Sequence, residues 1–331
     1  MLTVILKKEV EGVFVDQFYS FNSVLFPSRI MNASGPLCTW EQELNALGES
    51  ASGAIVLKTT TFEPRAGNDR PKYFENEWGS INSNGLENLG YKKYCELIPK
   101  LKRFNKPVIS SLSGFSLEEF TTMVGALDQA GADILEINLS CPNIAGKPQV
   151  AYDFEMSEKY LHTIRSTTEK PLWVKLPPYF ETIHRQEMAR ILLKNEVNGV
   201  TLINSLGNAL IVDPEKEQAV IKPKQGLGGV GGKYVKPVAL GNVFTFSQEL
   251  ENKIPVIGVG GIYTGMDAFE FFLCGAQLVQ IGTAYKSQGP GIFARVQGEL
   301  NELLQRKNYA RIEDAIGKLK VVEGEEYGFG A

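Results

Sequence analysis

Short runs of apolar, often β-branched residues recur along the chain, and segments with the apolar spacing of helices separate most of them. The apolar runs are "SVLFPSRIMNASG", "GAIVLKTTT", "PVISSLSG", "ADILEINLSCPN", "PLWVKLPP", "GVTLINSLG", "IPVIGVGG" and "LVQIGTAY". Helical periodicity covers residues 118–130, 157–168, 185–195 and 265–274. This alternation predicts strand–helix units around a parallel sheet. Eight units favour a closed (β/α)8 TIM barrel, because such barrels take about 250 residues before insertions.

Two longer stretches interrupt the alternation, and we expect both to be insertions. Residues 62–91 follow the second strand and residues 208–236 follow the sixth. Both leave C-terminal strand ends, where barrels of this kind carry their chemistry. We expect the first 23 residues to form a hairpin under the barrel floor and the tail "VVEGEEYGFGA" to be solvated. Without a linker or a low-complexity segment, we predict one domain over residues 1–331.

The apolar runs finish in polar residues or glycines, which a barrel would bring together on one rim. These residues are Ser34, Gly35, Lys58, Thr59, Asn138, Lys175, Asn204, Ser205, Gly260, Gly261, Gly282 and Thr283. Strand termination explains any single one of them equally well, since Asn, Ser and Gly favour turns. The two lysines are stronger indications of a site, because buried lysine is rare unless it is paired.

Glycine-rich segments after the last two strands indicate an anion site. "GVGGIYTG" and "IGTAY" would let backbone N–H groups approach a phosphate, which many barrels hold at this place. The run "GLGGVG" at residues 226–231 fits a dinucleotide-binding pattern formally. A proline precedes it and no clear strand–turn–helix unit follows, so we expect a flexible loop that closes over a cofactor.

Composition excludes several classes of function. A hydrophobic content of 43% and a charged content of 22% are ordinary for a soluble protein. The net charge of −4 gives no reason to expect nucleic acid or an anionic membrane as partner. No run reaches the roughly 20 apolar residues that span a bilayer. The four cysteines, Cys38, Cys95, Cys141 and Cys274, form no C-x-x-C pair, so we predict no metal site and a reducing, cytoplasmic location.

The stretch "EINLSCPNIAGKPQ" places a thiol among carboxamides where the fourth strand ends. A thiol with a pKa of about 8.5 serves as a general base when its site favours the thiolate or assists concerted transfer. Pro142 would fix the backbone beside Cys141. A lone cysteine is usually a small buried hydrophobe, and we keep that interpretation for the other three.

These segments together resemble the soluble, fumarate-using (class 1A) dihydroorotate dehydrogenases. The strongest carriers are "INSNGLENLG", "NLSCPNIAGKPQ", "VKLPPYF", "INSLGNALIVDPEKEQAVIKPKQGLGGVGGKYVKP", "GVGGIYTGMDAF" and "QIGTA", which occur in order between about Met31 and Lys320. The resemblance implies FMN inside the barrel rim and oxidation of dihydroorotate to orotate for pyrimidine synthesis. In that chemistry a cysteine takes the C5 proton while C6 passes hydride to the flavin N5. The resemblance also implies fumarate as acceptor at the same site, in a ping-pong cycle, and a homodimer.

The same resemblance implies roles for individual residues. Cys141 would be the base, Lys58 would lie between flavin and substrate, and Lys175 would face the flavin N1/O2 edge. Besides Lys58, the substrate would contact Asn82, Asn84, Gly85, Leu86, Asn138, Asn143, Asn204 and Ser205. The FMN would contact Ala33, Ser34, Gly35, Lys58, Thr59, Asn138, Lys175, Ile203, Gly232, Gly260, Gly261, Gly282 and Thr283.

Two positions depart from the family pattern N-S-M-G-L-P-N. Asn84 replaces the methionine and Glu87 replaces the proline. A carboxylate pointing inward would repel an anionic substrate and would indicate a substrate other than dihydroorotate. We expect Glu87 to point away from the pocket, because the rest of the predicted pocket is intact.

Several alternatives to dihydroorotate oxidation stay open. A flavin-dependent oxidoreductase of another pyrimidine or of an unsaturated acid is one, and the NAD-linked branch, which needs an iron–sulfur partner, is another. A non-catalytic flavin- or phosphate-binding barrel and a Schiff-base aldolase using Lys58 or Lys175 complete them.

Overall fold

A computed structural model of the chain describes residues 19–140, 149–251 and 253–322. Its strands, in chain order, are β1 (Tyr19–Phe21), β2 (Val24–Phe26), β3 (Ile30–Asn32), β4 (Ile55–Val56), β5 (Tyr73–Asn76), β6 (Gly79–Asn82), β7 (Val108–Leu112), β8 (Ile134–Asn138), β9 (Leu172–Leu176), β10 (Gly199–Leu202), β11 (Leu206–Ala209), β12 (Val212–Asp213), β13 (Gln218–Ala219), β14 (Gly228–Gly231), β15 (Val256–Val259) and β16 (Ala276–Ile281). Its α-helices are α1 (Glu41–Glu49), α2 (Tyr91–Leu101), α3 (Leu117–Gln129), α4 (Phe154–Arg165), α5 (Thr182–Lys194), α6 (Lys236–Glu249), α7 (Gly265–Leu273), α8 (Thr283–Gln288) and α9 (Gly291–Arg306).

Eight of these strands form a parallel sheet in the order β3-β16-β15-β10-β9-β8-β7-β4. Helices connect successive strands, so the predicted (β/α)8 TIM barrel is confirmed, and the four predicted helical segments correspond to α3, α4, α5 and α7. Strands β7, β8 and β9 are buried at every position, which explains why they read as continuous apolar runs. In the described parts of the chain, no helix has the length and apolar character that crossing a membrane requires.

The helix starts follow from local sequence signals. Ser116 caps α3 by accepting a hydrogen bond from the backbone of Glu119, and Asp153 caps α4 by accepting one from Met156. Thr264 begins α7 in the same way. Side-chain oxygens at these positions satisfy backbone N–H groups that the first helical turn leaves without an acceptor. Each cap therefore fixes where the chain leaves the rim and turns back along the barrel.

At the seam of the barrel, between β3 and β4, one side chain supplies two hydrogen bonds between the two strands, and the Thr59 N–H donates to the Ser34 carbonyl at 3.2 Å beyond the strand ends. Asn32 Nδ2 donates to the Val56 carbonyl (2.7 Å), and Asn32 Oδ1 accepts from the Val56 N–H (3.0 Å). The Gly53 N–H adds a bond to the Ile30 carbonyl at 2.8 Å. Asn32 is completely buried, so its carboxamide substitutes for the backbone ladder that joins the other strand pairs.

We expect Asn32→Ala to lower the free energy of unfolding by about 2–4 kcal/mol, because it leaves a buried N–H and a buried carbonyl of Val56 without partners. Urea unfolding followed by circular dichroism measures the loss. Asn45→Ala is the matched control, since among the described residues the Asn45 side chain accepts a hydrogen bond from the exposed Arg103 alone, and its effect should stay within about 0.5 kcal/mol. Equal effects of the two substitutions would show that the Asn32 bridge does not stabilise the seam.

A hairpin closes the N-terminal end of the barrel. It consists of β1 and β2, which pair antiparallel, so it lies at Tyr19–Phe26, while residues 1–18 are outside the described residues. Phe26 stacks on Trp173 with ring centroids 6.2 Å apart, and Phe21 meets the same indole edge-on at 5.7 Å. These rings join the apolar layer at the start of the barrel strands, so the predicted hairpin under the barrel floor is present, but it extends to Phe26, beyond the first 23 residues.

The two insertions form one antiparallel sheet, in the order β11-β14-β6-β5. Strands β5 and β6 belong to the insertion after the second barrel strand, and β11 and β14 to the insertion after the sixth. The prediction of a flexible loop at "GLGGVG" is therefore wrong for Gly228–Gly231, which is strand β14. Glycine is required at Gly228, because a Cβ there would lie 2.6 Å from the Asn82 carbonyl oxygen, whereas a Cβ at Gly229 would lie 2.4 Å from Ser205 Oγ and would displace that side chain.

Candidate active site

The C-terminal strand ends and the four-stranded sheet enclose a cleft with a volume of about 1670 Å³. The structure brings together in this cleft all the predicted site residues that it describes. They are Ala33, Ser34, Gly35, Lys58, Thr59, Asn82, Asn84, Gly85, Leu86, Asn138, Lys175, Ile203, Asn204, Ser205, Gly232, Gly260, Gly261, Gly282 and Thr283. Cys141 and Asn143 lie outside the described residues. The roles of all these residues remain predictions.

Three polar side chains form a cluster where β8 ends and the chain enters residues 141–148. Asn138 Oδ1 accepts from the Ser140 hydroxyl (2.7 Å) and from Asn204 Nδ2 (3.5 Å). Asn204 Nδ2 also donates to Ser140 Oγ at 2.5 Å. These bonds hold both carboxamides in place at the rim, and carboxamides offer a ligand both donors and acceptors.

Lys175 is buried on β9, with 5% of its surface exposed, and its ammonium borders the cleft. Its Nζ donates to Ser34 Oγ at 3.2 Å. Ser34 in turn donates to Glu136 Oε1 at 3.0 Å, and the Glu136 carboxylate is completely buried on β8. A cation fixed at this depth presents positive charge to whatever occupies the cleft.

Lys58 lies two residues after the end of the short strand β4 and is half-buried. Its backbone N–H donates to the Cys38 carbonyl at 2.9 Å, and its side chain lines the cleft. The structure thus places a second lysine at the rim, as the sequence pattern predicted.

The turn after β6 offers backbone donors. Gly85 and Leu86 both have positive φ values, of 71° and 55°. A Cβ at Gly85 would lie 2.4 Å from Asn68 Oδ1, so the position needs glycine. Within the described parts of the chain, neither N–H group donates a hydrogen bond. Both groups are therefore available to an anionic ligand in the cleft.

Glu87 lines the cleft, and its charge is paired. Its Oε2 lies 2.8 Å from Lys72 Nζ, in an ion pair whose lysine side chain is only 11% exposed. Glu87 was expected to point away from the pocket. The structure instead includes Glu87 in the cleft lining and pairs its carboxylate with the Lys72 ammonium. Sequence reasoning missed Lys72, because the two residues meet only through the fold of the insertion.

The other end of the cleft is built from glycine-rich turns. Gly260 and Gly261 follow β15 with φ values of 134° and 80°, which favour glycine. The N–H groups of Gly261 and Gly282 donate no hydrogen bond to the described residues. A Cβ at Gly232 would lie 2.6 Å from Gly79 Cα, so backbone approaches backbone closely here. Such unpartnered N–H groups suit a phosphate.

Cationic side chains outnumber anionic ones among the described residues that line the cleft. The cations are Lys58, Arg65, Arg70, Lys72, Lys175, Lys224 and Lys286, and the anions are Glu43 and Glu87. The whole chain carries a net charge of −4, so the positive charge is concentrated at the cleft. A concave surface that carries mostly positive charge attracts negatively charged ligands.

The three described cysteines keep their structural interpretation. Burial raises the pKa of Cys38 to about 12 and that of Cys274 to about 11. Burial also raises the pKa of Cys95. Thiols with such values stay protonated at neutral pH and are poor bases.

Sequence reasoning also missed the buried carboxylate of Glu136, which lies behind the cleft. A signal was present, because an acidic residue inside an apolar strand is as unusual as a lysine there. Its partners come from β10 and β16: Thr201 Oγ1 (3.0 Å) and Gln280 Nε2 (3.2 Å) both donate to Glu136 Oε2.

Comparison with known proteins gives a consistent result along nearly the whole chain. The family model described as dihydroorotate dehydrogenase matches residues 19–304. A protein of Lactococcus lactis subsp. cremoris named dihydroorotate dehydrogenase A (fumarate) is 47% identical over 305 residues, which cover 91% of this chain and 98% of that protein. Dihydroorotate dehydrogenase (fumarate) of Trypanosoma cruzi is 46% identical, covering 90% of this chain and 96% of its own. A probable dihydroorotate dehydrogenase A (fumarate) of Enterococcus faecalis is 48% identical, and the match covers 88% of this chain and 94% of that protein.

Proposed function

The chain belongs to the dihydroorotate dehydrogenase family, and from this premise we propose that it oxidises dihydroorotate to orotate in pyrimidine synthesis, with FMN as cofactor and fumarate as electron acceptor. The observation that carries the proposal is the cleft, whose lining includes Lys58 and Lys175 together with the carboxamide residues Asn138 and Asn204. This set of groups suits a planar, anionic heterocycle next to a redox cofactor.

The residues present fit FMN. The unpartnered N–H groups of Gly261 and Gly282 suit its phosphate, and Thr283 lies beside them, with its hydroxyl 3.1 Å from Ser80 Oγ. Ser34, Thr59 and Asn138, with Lys175, would hold the ring system. Bound FMN supplies a two-electron acceptor, and a cation at its N1/O2 edge favours the negatively charged reduced form.

The substrate would be bound by the carboxamide cluster and the turn after β6. Asn82, Asn84, Asn204 and Ser205, together with Asn143, would pair with the amide groups of the pyrimidine, and the N–H groups of Gly85 and Leu86 would hold its carboxylate. Cys141 would remove the proton from C5. Fumarate, a dianion, would use the same cationic cleft after orotate leaves, which gives a ping-pong cycle.

A flavin-dependent oxidoreductase of another pyrimidine or unsaturated acid is the second candidate, favoured by Asn84 and Glu87. The ion pair with Lys72 weakens that case, because it compensates the added carboxylate. We also propose that the enzyme is a cytoplasmic homodimer. The free thiols of Cys38, Cys95 and Cys274 are compatible with a reducing compartment, and light scattering of the purified protein measures the mass.

The visible spectrum of the purified protein tests the proposed function first. We expect a yellow protein whose flavin band bleaches when dihydroorotate is added without oxygen and returns on addition of fumarate. A colourless protein that does not take up FMN would contradict a flavin enzyme and would favour the aldolase alternative. A yellow protein that dihydroorotate does not bleach would favour another substrate or a non-catalytic barrel.

The Lys72–Glu87 pair gives a separate prediction about the substrate. We expect Lys72→Met to weaken orotate binding by about tenfold to a hundredfold, since two unit charges about 6 Å apart repel by roughly 3 kcal/mol at an effective dielectric constant near 20. Titration of orotate against the flavin absorbance measures the affinity. Lys72→Met/Glu87→Gln is the matched control and should recover most of it. Equal loss in the single and double variants would mean that Lys72 itself contacts the ligand and that Glu87 has no influence.

A further inference from the structure

A carboxylate that the proposed chemistry does not use is buried directly behind the cleft. Glu136 has no exposed surface, and it lies on β8 two residues before Asn138. Burying a charge is costly unless other groups compensate it. A glutamine or a leucine at this position would fill similar space without that cost. The carboxylate therefore calls for an explanation beyond packing.

The hydrogen bonds around Ser34 fix the state of this carboxylate. Ser34 Oγ accepts from Lys175 Nζ at 3.2 Å, while the Thr59 hydroxyl lies 3.4 Å from Ser34 Oγ and closer, at 2.9 Å, to Ser111 Oγ. Because the ammonium can only donate, the Ser34 hydroxyl directs its own proton to Glu136 Oε1, at 3.0 Å. The other oxygen, Oε2, accepts from Thr201 and Gln280. A carboxyl group that receives donors at both oxygens matches the ionised form, which only accepts.

This geometry puts a negative charge and a positive charge at the two ends of one hydroxyl group. Lys175 is on the side of the cleft, and Glu136 is on the side of the barrel core. In a buried environment the two charges act at low effective dielectric, so each changes the potential that the other produces nearby. The positive field that Lys175 presents to the cleft is consequently smaller than that of a buried lysine alone.

We propose that Glu136 is the counter-charge of Lys175 and that it lowers the midpoint potential of the flavin bound in the cleft. The inference rests on the FMN part of the proposed function. Its purpose follows from the two half-reactions, which need a flavin that accepts two electrons from one substrate and gives them up to another. An uncompensated lysine would stabilise reduced FMN further and would slow its reoxidation.

The variant Glu136→Gln removes the charge with little change of shape. The new amide oxygen can still accept from Ser34, and its amide nitrogen would face Gln280. Gln280 Oε1 has no hydrogen-bond partner among the described residues, so rotation of that side-chain amide by 180° provides an acceptor. The variant therefore keeps hydrogen bonds to Ser34 and Gln280, while Thr201 Oγ1, which donates to Oε2 in the wild type, would instead accept from the new amide nitrogen.

The test is a redox titration of the FMN-loaded protein with dithionite. We expect Glu136→Gln to raise the midpoint, with at least a tenfold higher ratio of reduced to oxidised flavin at fixed potential, or about 30 mV for a two-electron couple. Rapid mixing should show reoxidation by fumarate slowed at least threefold, with reduction by dihydroorotate not slowed. An unchanged or lowered midpoint would overturn the proposal.

Two controls separate charge from hydrogen bonding. Glu136→Asp keeps the charge, and Thr201→Val removes one hydrogen bond to the carboxylate without removing the charge. In both variants the ratio of reduced to oxidised flavin at fixed potential should stay within threefold of wild type. If Glu136→Gln does not fold, Glu136→Met with Thr201→Val replaces the carboxylate and one of its partners by apolar groups, and the same rise is expected. A midpoint that rises equally in Glu136→Asp would also contradict the proposal.

The titration does not depend on the natural substrate. If the wild-type protein binds FMN and the flavin midpoint is the same in Glu136→Gln, the proposed role of Glu136 as counter-charge is wrong and the proposed function stands. If the wild-type protein does not bind FMN, the proposed function fails first.

Discussion

Replacing Cys141 with alanine is expected to leave FMN bound and to slow its reduction by dihydroorotate by about 10²- to 10⁴-fold, the usual contribution of a general base. The polar groups near the end of β8 offer no alternative base. The hydroxyl of Ser140, which precedes Cys141 in the chain, already donates to Asn138 and accepts from Asn204. The carboxamides of Asn138 and Asn204 are not bases, so they cannot replace a thiolate.

Rapid-mixing spectroscopy at neutral pH measures the reduction step directly. Cys141→Ser is the informative companion, because a hydroxyl has a far higher pKa than a thiol; we expect partial activity that increases towards high pH. Cys38→Ala serves as control for the loss of a thiol elsewhere, since burial raises the pKa of Cys38 to about 12. Near-normal reduction in Cys141→Ala would remove the thiol from the mechanism.

Lys175→Ala should lower the midpoint potential of the bound flavin by roughly 60 mV. A buried cation about 5 Å from an anion contributes roughly 3 kcal/mol at an effective dielectric constant near 20, and about 1.4 kcal/mol corresponds to 30 mV for two electrons. Because the charge on the flavin develops only on reduction, orotate affinity should change less than the potential. The expected sign is opposite to that for Glu136→Gln.

Lys286→Ala is the matched control for this measurement. Lys286 also lines the cleft, but its side chain is exposed and solvent screens its charge. Its removal should shift the midpoint much less. A midpoint that is unchanged in Lys175→Ala would return Lys175 to a structural role in the barrel core.

The sequence was sufficient for the barrel and for most of the cleft lining, for a physical reason. Parallel strands with both faces covered leave long apolar runs, and the polar residue that ends each run must lie on the same rim. The sequence alone therefore predicts that Lys58, Asn138, Lys175 and Asn204 lie on one rim. Glycines after β15 and β16 followed from the same rule.

What the sequence did not reveal depends on pairings between distant segments. The Lys72–Glu87 ion pair arises from the path of the first insertion, and the Asn32 bridge arises from the way the first and second barrel strands meet. The pairing of β6 with β14 joins residues that are about 150 positions apart. No periodicity encodes such contacts, because each depends on where two loops or strand ends come together in space.

The sheet made from both insertions has a consequence for exchanging parts between relatives. Neither insertion supplies a complete sheet: β6 lies between β5, from its own segment, and β14, from the other. A chimaera that receives only one of the two segments would meet a partner strand of foreign register, with glycines at Gly228 and Gly229 matched to other side chains. The two insertions should therefore be exchanged between relatives only together, although four barrel strands separate them along the chain.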